Sequence, residues 1–364
     1  MKNETKRIFY IFLTLCVTLA VALFIGWAVG GGEDVPALGV SSELSPSSPQ
    51  SGSIPAGGEV SNQNSENISE VKSENPVEVS EPGVSEESSE DHSTAPGFPV
   101  NFIENGPNRV TAEYVAVYNL TEDKFIYGKN EFEKCYPASL TKLVTAILAE
   151  KYIGVSEEIV VGDEIFRIGK GSSVAYLQKG YRMNLETLLD AMLLPSGNDA
   201  AYTAAVKIGR NILGDGNASI DSALARYYET ANAYVASIGC EGTHISTPDG
   251  YHDSEHYTTA WDYVLISREA LKSGLIRKVV KKTVAHDKLL DGRQITYNNV
   301  NMLIDRDYVT GLKTGTTSEA GYCIAVSTGY NGVELIIISL RSSTPENRYL
   351  DAEKLISAAY GWFD

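Results

Sequence analysis

The 364-residue chain is short of positive charge: 30 Lys and Arg stand against 47 Asp and Glu, for a net charge of −17. No basic patch forms, so nucleic acid is not an expected partner. Cysteine is scarce, with Cys16 in an apolar run and Cys135, Cys240 and Cys323 further along. Their spacing fits no metal site, and the odd set of three allows one disulfide or three free thiols. His252 and His256 stand four apart but lack the adjacent Glu of a zinc-peptidase helix, so neither metal nor cofactor is expected. Residues 31–98 almost lack aromatics and carry the single Lys72 against thirteen acidic residues. That Ser-, Glu-, Gly- and Pro-rich composition cannot bury enough apolar surface to offset ordering entropy. It predicts a disordered linker whose ends lie about 45 Å apart.

Residues 8–30 lack charge altogether and are long enough to span a bilayer. The small-residue triplet Ala20-Val21-Ala22 lies inside the run, a poor place for cleavage, which favours an uncleaved anchor over a removed signal. Lys2, Lys6 and Arg7 precede it, so residues 1–7 are expected in the cytoplasm and everything after Gly30 outside it. The expectation is a single-pass membrane protein with an extracytoplasmic catalytic domain over 99–364.

Within that domain, residues 113–130 predict two strands around a Thr121-Glu122-Asp123 turn. Helical spacing runs through 136–150, 185–194 (ended by Pro195), 198–209, 219–239 and 258–274, the last closed by Gly274. In 219–239 the stripe is Ile220, Leu224, Tyr228, Ala231, Val235 and Ile238. Three strand-like runs follow, the last two joined by an Asn331-Gly332 hairpin turn, and a final helix closes the chain. This order predicts an α+β fold. An antiparallel sheet built from both ends of the chain would be flanked by helices, with a mostly α-helical lobe beside it. The cleft between lobes is the natural place for a site.

Ser139 and Lys142 stand three apart near the start of an apolar helix, where they share a face. A nucleophilic Ser needs a nearby base and donors for an oxyanion. The pattern alone is equally an N-cap Ser and a solvent-facing Lys; Ser69 and Lys72 have the same spacing in the linker. Ser196 and Asn198 mark a break between helices and by themselves read as a cap. Lys313, Thr314 and Gly315 lie on an interior-looking strand, where a Lys is costly unless paired and Gly permits close approach.

Ser-x-x-Lys, Ser-x-Asn and Lys-Thr-Gly in that order are the set shared by β-lactamases and penicillin-binding proteins. With PASLTKL, ISTPDGYHDSEHYTTAWD and GLKTGTTSEAGYCIAVS, residues 100–364 resemble the serine D-alanyl-D-alanine carboxypeptidases. The resemblance implies that Ser139 attacks the bond between two D-alanines of a peptidoglycan stem peptide, with Lys142 as base. Burial and the charge of Lys313 are both expected to lower the Lys142 pKa. Ser196 would relay the proton and Asn198 orient Lys142. The oxyanion would rest on the N–H groups of Ser139 and Thr316. Lys313, Thr314, Gly315 and, more loosely, Arg341 would hold the substrate carboxylate or that of a β-lactam antibiotic. Alternatives are an endopeptidase, a serine β-lactamase, for which no Glu-x-x-Leu-Asn stretch is found, and a tethered wall-binding protein without activity. Many members carry a C-terminal β-rich domain and an anchoring helix; here the N-terminal span is expected to replace that anchor.

Overall fold

The structure is a computed structural model and describes residues 97–105 and 108–362. The expected span 8–30 and nearly all of the expected linker 31–98 lie outside the described residues. Among the described residues no helix is long and apolar enough to cross a membrane.

Five strands form one antiparallel sheet in the order β2-β1-β9-β8-β7. They are β1 (Tyr114–Asn119), β2 (Lys124–Lys129), β7 (Val309–Thr317), β8 (Gly321–Tyr330) and β9 (Val333–Ser342). An early and a late strand of the domain do pair: Val117 of β1 lies opposite Ile337 of β9. Asn331 and Gly332 both adopt positive φ, 49° and 81°, the geometry of a tight hairpin whose twist matches its strands. Side chains alternate across the pleat. Val115, Val117, Val326 and Ile337 pack toward α1 (Val100–Glu104) and the terminal helix α8 (Pro345–Tyr360). Ala116, Tyr118, Ala325, Ile336 and Ile338 face the larger core on the other side.

That core is shared with α2 (Lys142–Tyr152), α3 (Leu185–Leu193), α4 (Asn198–Leu213), α5 (Ile220–Ser237), α6 (Ala260–Lys272) and α7 (Gly274–Val280). Short pairs β3 (Ile159–Val160) with β4 (Arg182–Met183), and β5 (Val284–Lys288) with β6 (Gln294–Asn298), complete the fold. The mixed architecture, a helix-flanked antiparallel sheet beside a helical lobe, is as expected.

Three local readings change. The helix 136–150 does not run through Ser139: residues Ala138–Thr141 form a 3₁₀ turn and α2 begins at Lys142. Ala138 has φ of 49°, which no α-helix accommodates. Gly274 does not end a helix. Ser273 follows α6, and its hydroxyl accepts from the Ile276 N–H to start α7. On α5 the expected Leu224, Ala231 and Val235 are buried, but Tyr227 rather than Tyr228 turns inside, where its hydroxyl meets Thr145 Oγ1 at 2.7 Å; Ile220, Tyr228 and Ile238 are half-buried. Cys135, Cys240 and Cys323 are free thiols.

Candidate active site

The 3₁₀ turn has three residues per turn, so positions three apart eclipse. Ser139 and Lys142 therefore stack, with Lys142 Nζ 2.8 Å from Ser139 Oγ. The amine has two further acceptors: Asn198 Oδ1 at 2.7 Å and the Asp249 carbonyl at 2.8 Å. All three are uncharged oxygens. An ammonium has three protons for them; a neutral amine bonds two and keeps a lone pair for the Ser139 proton. Lys142 is 0% exposed. Burial pulls its pKa down to about 8, against the opposing pull of Asp249 and then Asp199. Lys313, 1% exposed, is lowered by burial, then by the charges of Lys142 and Arg348. Burial is the chief cause at both lysines, and the positive charge of Lys142 adds to it at Lys313.

Asn198 opens α4 and is oriented from both ends of its amide: Oδ1 accepts a hydrogen bond from Lys142 Nζ and Nδ2 donates to Ser172 Oγ at 2.8 Å. Ser196, two residues earlier, is buried in the α3–α4 break at φ 65°. Such left-handed backbone is strained for a non-Gly residue and persists where surroundings enforce it. Gly315 explains its own identity: a Cβ there would stand 2.9 Å from the Ser139 nitrogen and 3.0 Å from Ala138 Cβ. β7 therefore lies directly against the turn that carries Ser139. Lys313 Nζ donates to the Thr314 carbonyl at 2.9 Å, and Thr314 is buried. Ser139, Asn198 and Thr316 line one 320 Å³ cavity together with Ser172, Tyr251 and His252.

Arg341 is not brought to this cavity. At the end of β9 its φ is 59°, which interrupts strand alternation, and its Nε faces Glu113 Oε2 at 3.4 Å on the exposed sheet surface. The guanidinium that reaches the cleft strand belongs to Arg348 on α8. Its Nη1 donates to Thr316 Oγ1 at 2.9 Å and to the Gly315 carbonyl at 3.4 Å.

The loop around residues 246–256, noted in the sequence only for its resemblance and its two His residues, packs under the Ser139 turn. Its Pro248 and Asp249 carbonyls accept from Thr145 Oγ1 and Lys142 Nζ, which docks the loop onto α2. Gly250, at φ 79°, presses so close that a Cβ would sit 1.8 Å from the Ala138 carbonyl oxygen. His256 is buried, and its Nδ1 accepts from the N–H groups of Ser246 and Thr247. Its proton is thereby assigned to Nε2, which donates to Thr141 Oγ1 at 2.7 Å, and Thr141 in turn donates to the Ala138 carbonyl at 2.9 Å. Burial pushes the His256 pKa down to about 3. The ring is thus a neutral strut under the Ser139 turn. Among the described residues no cluster of three or more His, Cys, Asp or Glu is placed to hold a metal.

A family model, Peptidase S11, D-alanyl-D-alanine carboxypeptidase, matches residues 101–344. Among curated proteins, the D-alanyl-D-alanine carboxypeptidase DacF of Bacillus subtilis is 26% identical over 247 residues, covering 66% of this chain and 60% of its own length. DacA of Haemophilus influenzae is 25% identical over 272 residues, covering 71% and 64%. The chain thus spans less than two thirds of these relatives. Among solved structures, the Streptomyces K15 DD-transpeptidase matches with a TM-score of 0.65 at 24% identity, over 70% of this chain and 98% of that one. The ampicillin-bound penicillin-binding protein D2 of Listeria monocytogenes matches with a TM-score of 0.58 at 24% identity, over 70% and 100%. Those two likenesses carry the fold. With two thirds of its length matched by the family model, this chain belongs to the peptidase S11 family of D-alanyl-D-alanine carboxypeptidases.

Proposed function

We propose that this protein removes the terminal D-alanine from peptidoglycan stem pentapeptides through a Ser139 acyl-enzyme, and that β-lactam antibiotics acylate the same serine. The observation that carries the reading is the fully buried Lys142 amine 2.8 Å from Ser139 Oγ, without a carboxylate in contact. With a pKa of about 8, roughly one Lys142 in ten is neutral at pH 7. Neutral Lys142 takes the Ser139 proton as Oγ attacks the scissile carbonyl. Ser196 passes a proton to the leaving D-alanine, and Asn198 keeps Lys142 aimed. The N–H groups of Ser139 and Thr316 receive the oxyanion, and water then releases the shortened peptide. Lys313, Thr314 and Gly315 border the substrate's terminal carboxylate. Arg348, rather than Arg341, supplies the guanidinium there, since its bonds to Thr316 and Gly315 put it beside that strand.

The domain acts outside the cell, held to the membrane by residues 8–30 and reaching the wall through the linker. The test is to incubate the protein with a D-Ala-D-Ala pentapeptide and measure released D-alanine, alongside labelling by a fluorescent penicillin. Wild type should do both and Ser139→Ala neither. Labelling that survives Ser139→Ala would overturn the nucleophile. Penicillin labelling without D-alanine release from the pentapeptide would overturn the carboxypeptidase reading.

A further inference from the structure

Two carboxylates act on the Lys142 proton, and the fold treats them differently. Asp199 of α4 has its oxygens occupied: Oδ1 accepts from the N–H groups of Ala175 and Ala200, Oδ2 from that of Leu177, all within 2.9 Å. It fastens the 175–177 segment. Asp249 is 0% exposed, and its Oδ1 accepts from the Tyr251 N–H at 2.9 Å. Its Oδ2 is buried without a hydrogen-bond partner. Such an oxygen is expensive unless something offsets the lost water. The same residue's carbonyl is one of the three acceptors of Lys142 Nζ. The residue that carries this carboxyl is therefore held against the amine through its own backbone carbonyl, in a turn that Gly250 locks against Ala138.

We propose that Asp249 is a positioning residue for Lys142, whose carboxyl sets the pH above which the amine accepts the Ser139 proton. The inference rests on Lys142 being the base. Asp249 exerts the largest pull of any charged neighbour on Lys142; burial raises the pKa of its own carboxyl, and the positive charge of Lys142 is the foremost influence opposing that rise. The other groups turned toward Asp249 are phenols kept neutral by burial: Tyr202 from α4, and Tyr227 and Tyr228 from α5. Asp199 and, from β7, Lys313 face Lys142 itself. Lys142 is thus the cation that this carboxyl serves. A negative charge there makes the amine a stronger base and delays its deprotonation to higher pH; a neutral group has the opposite effect.

The experiment is the rate of acylation of the full chain by a fluorescent penicillin across the pH range, for wild type, Asp249→Asn and Asp249→Glu. Asn keeps the acceptor for the Tyr251 N–H, so the turn survives; Asp249→Ala is the second neutral variant should Asn not fold. The wild-type rate should rise with pH through about 8. In the neutral variant that rise should move to lower pH by about one unit, with a plateau lowered a few-fold. Asp249→Glu should keep the wild-type midpoint. A neutral variant whose midpoint coincides with wild type would overturn the proposal, as would an equal shift in Glu. Failure of the base assignment would show separately, as an undiminished rate in Lys142→Ala.

Discussion

Lys142 in the cleft and the half-buried Lys282 outside it are used in opposite ways. In the cleft, Lys142 touches only neutral oxygens, and burial lowers its pKa. Beyond the end of α7, Lys282 is also largely withdrawn from solvent, its side chain 21% exposed, but it touches two carboxylates: Asp190 Oδ2 at 2.6 Å and Glu186 Oε1 at 2.9 Å. Burial pushes its pKa down, yet the hydrogen bonds to Asp190 and Glu186 outweigh that and raise it. The lesson is that depth alone does not make a base. An amine gives up its proton when the fold buries it and withholds the direct counter-ion; given one, it becomes a staple, here joining α3 to the segment after α7.

The largest expected break in this contrast is Lys142→Arg. Arginine keeps the positive charge but cannot serve as a base near neutrality. Acylation by penicillin, followed by stopped flow, should fall roughly a thousandfold while the protein still melts cooperatively. Lys282→Met should do the reverse. It leaves the fully buried Asp190 carboxylate without its partner and should cost about 3 kcal/mol in denaturant unfolding. The acylation rate of folded molecules should be unchanged. A loss of rate there would mean the staple also shapes the Ser196–Asn198 break, which begins just beyond the Leu193 end of α3.

A further effect, which appears only in acid, concerns the neutral strut. His256 has its pKa lowered to about 3 in the fold, against about 6.5 when unfolded. Below pH 6.5 the unfolded chain binds a proton that the native state refuses. Stability present above that pH should therefore fall by about 1.4 kcal/mol per pH unit until about pH 3. His256→Asn should be less stable at neutral pH but show an acid dependence shallower by that one proton in urea titrations. An unaltered slope would mean the ring is already charged.

Much of the site could be read from residue spacing because its parts lie on regular elements. Ser139 and Lys142 are stacked by one turn, Asn198 starts a helix, and Lys313–Gly315 lie on a strand flanked by apolar residues. That the sheet joins strands from both ends of the domain was legible because β1, β8 and β9 are rich in apolar residues. What escaped depends on geometry that composition does not encode. Asp249, Gly250 and His256 sit in an irregular loop whose backbone carbonyls do the bonding, and any sequence there could supply carbonyls. Ser172 comes from another loop. Arg348 was missed in favour of Arg341 because the positive φ that diverts Arg341 has no sequence mark. The β5–β6 hairpin went unread since its strands are mostly exposed and alternate weakly, with Ala285 and Tyr297 as their buried residues.

The sheet order has one more consequence. β9 is the central strand, with β1 on one side and β8 on the other. A nascent chain that has not yet produced Val333–Ser342 therefore holds two separate hairpins, each presenting an open apolar edge. The seam closes late and across the whole length of the domain, so assembly should be slow and prone to intermolecular pairing while it waits. Truncation before β9 would not trim the enzyme but divide its sheet into two sticky halves.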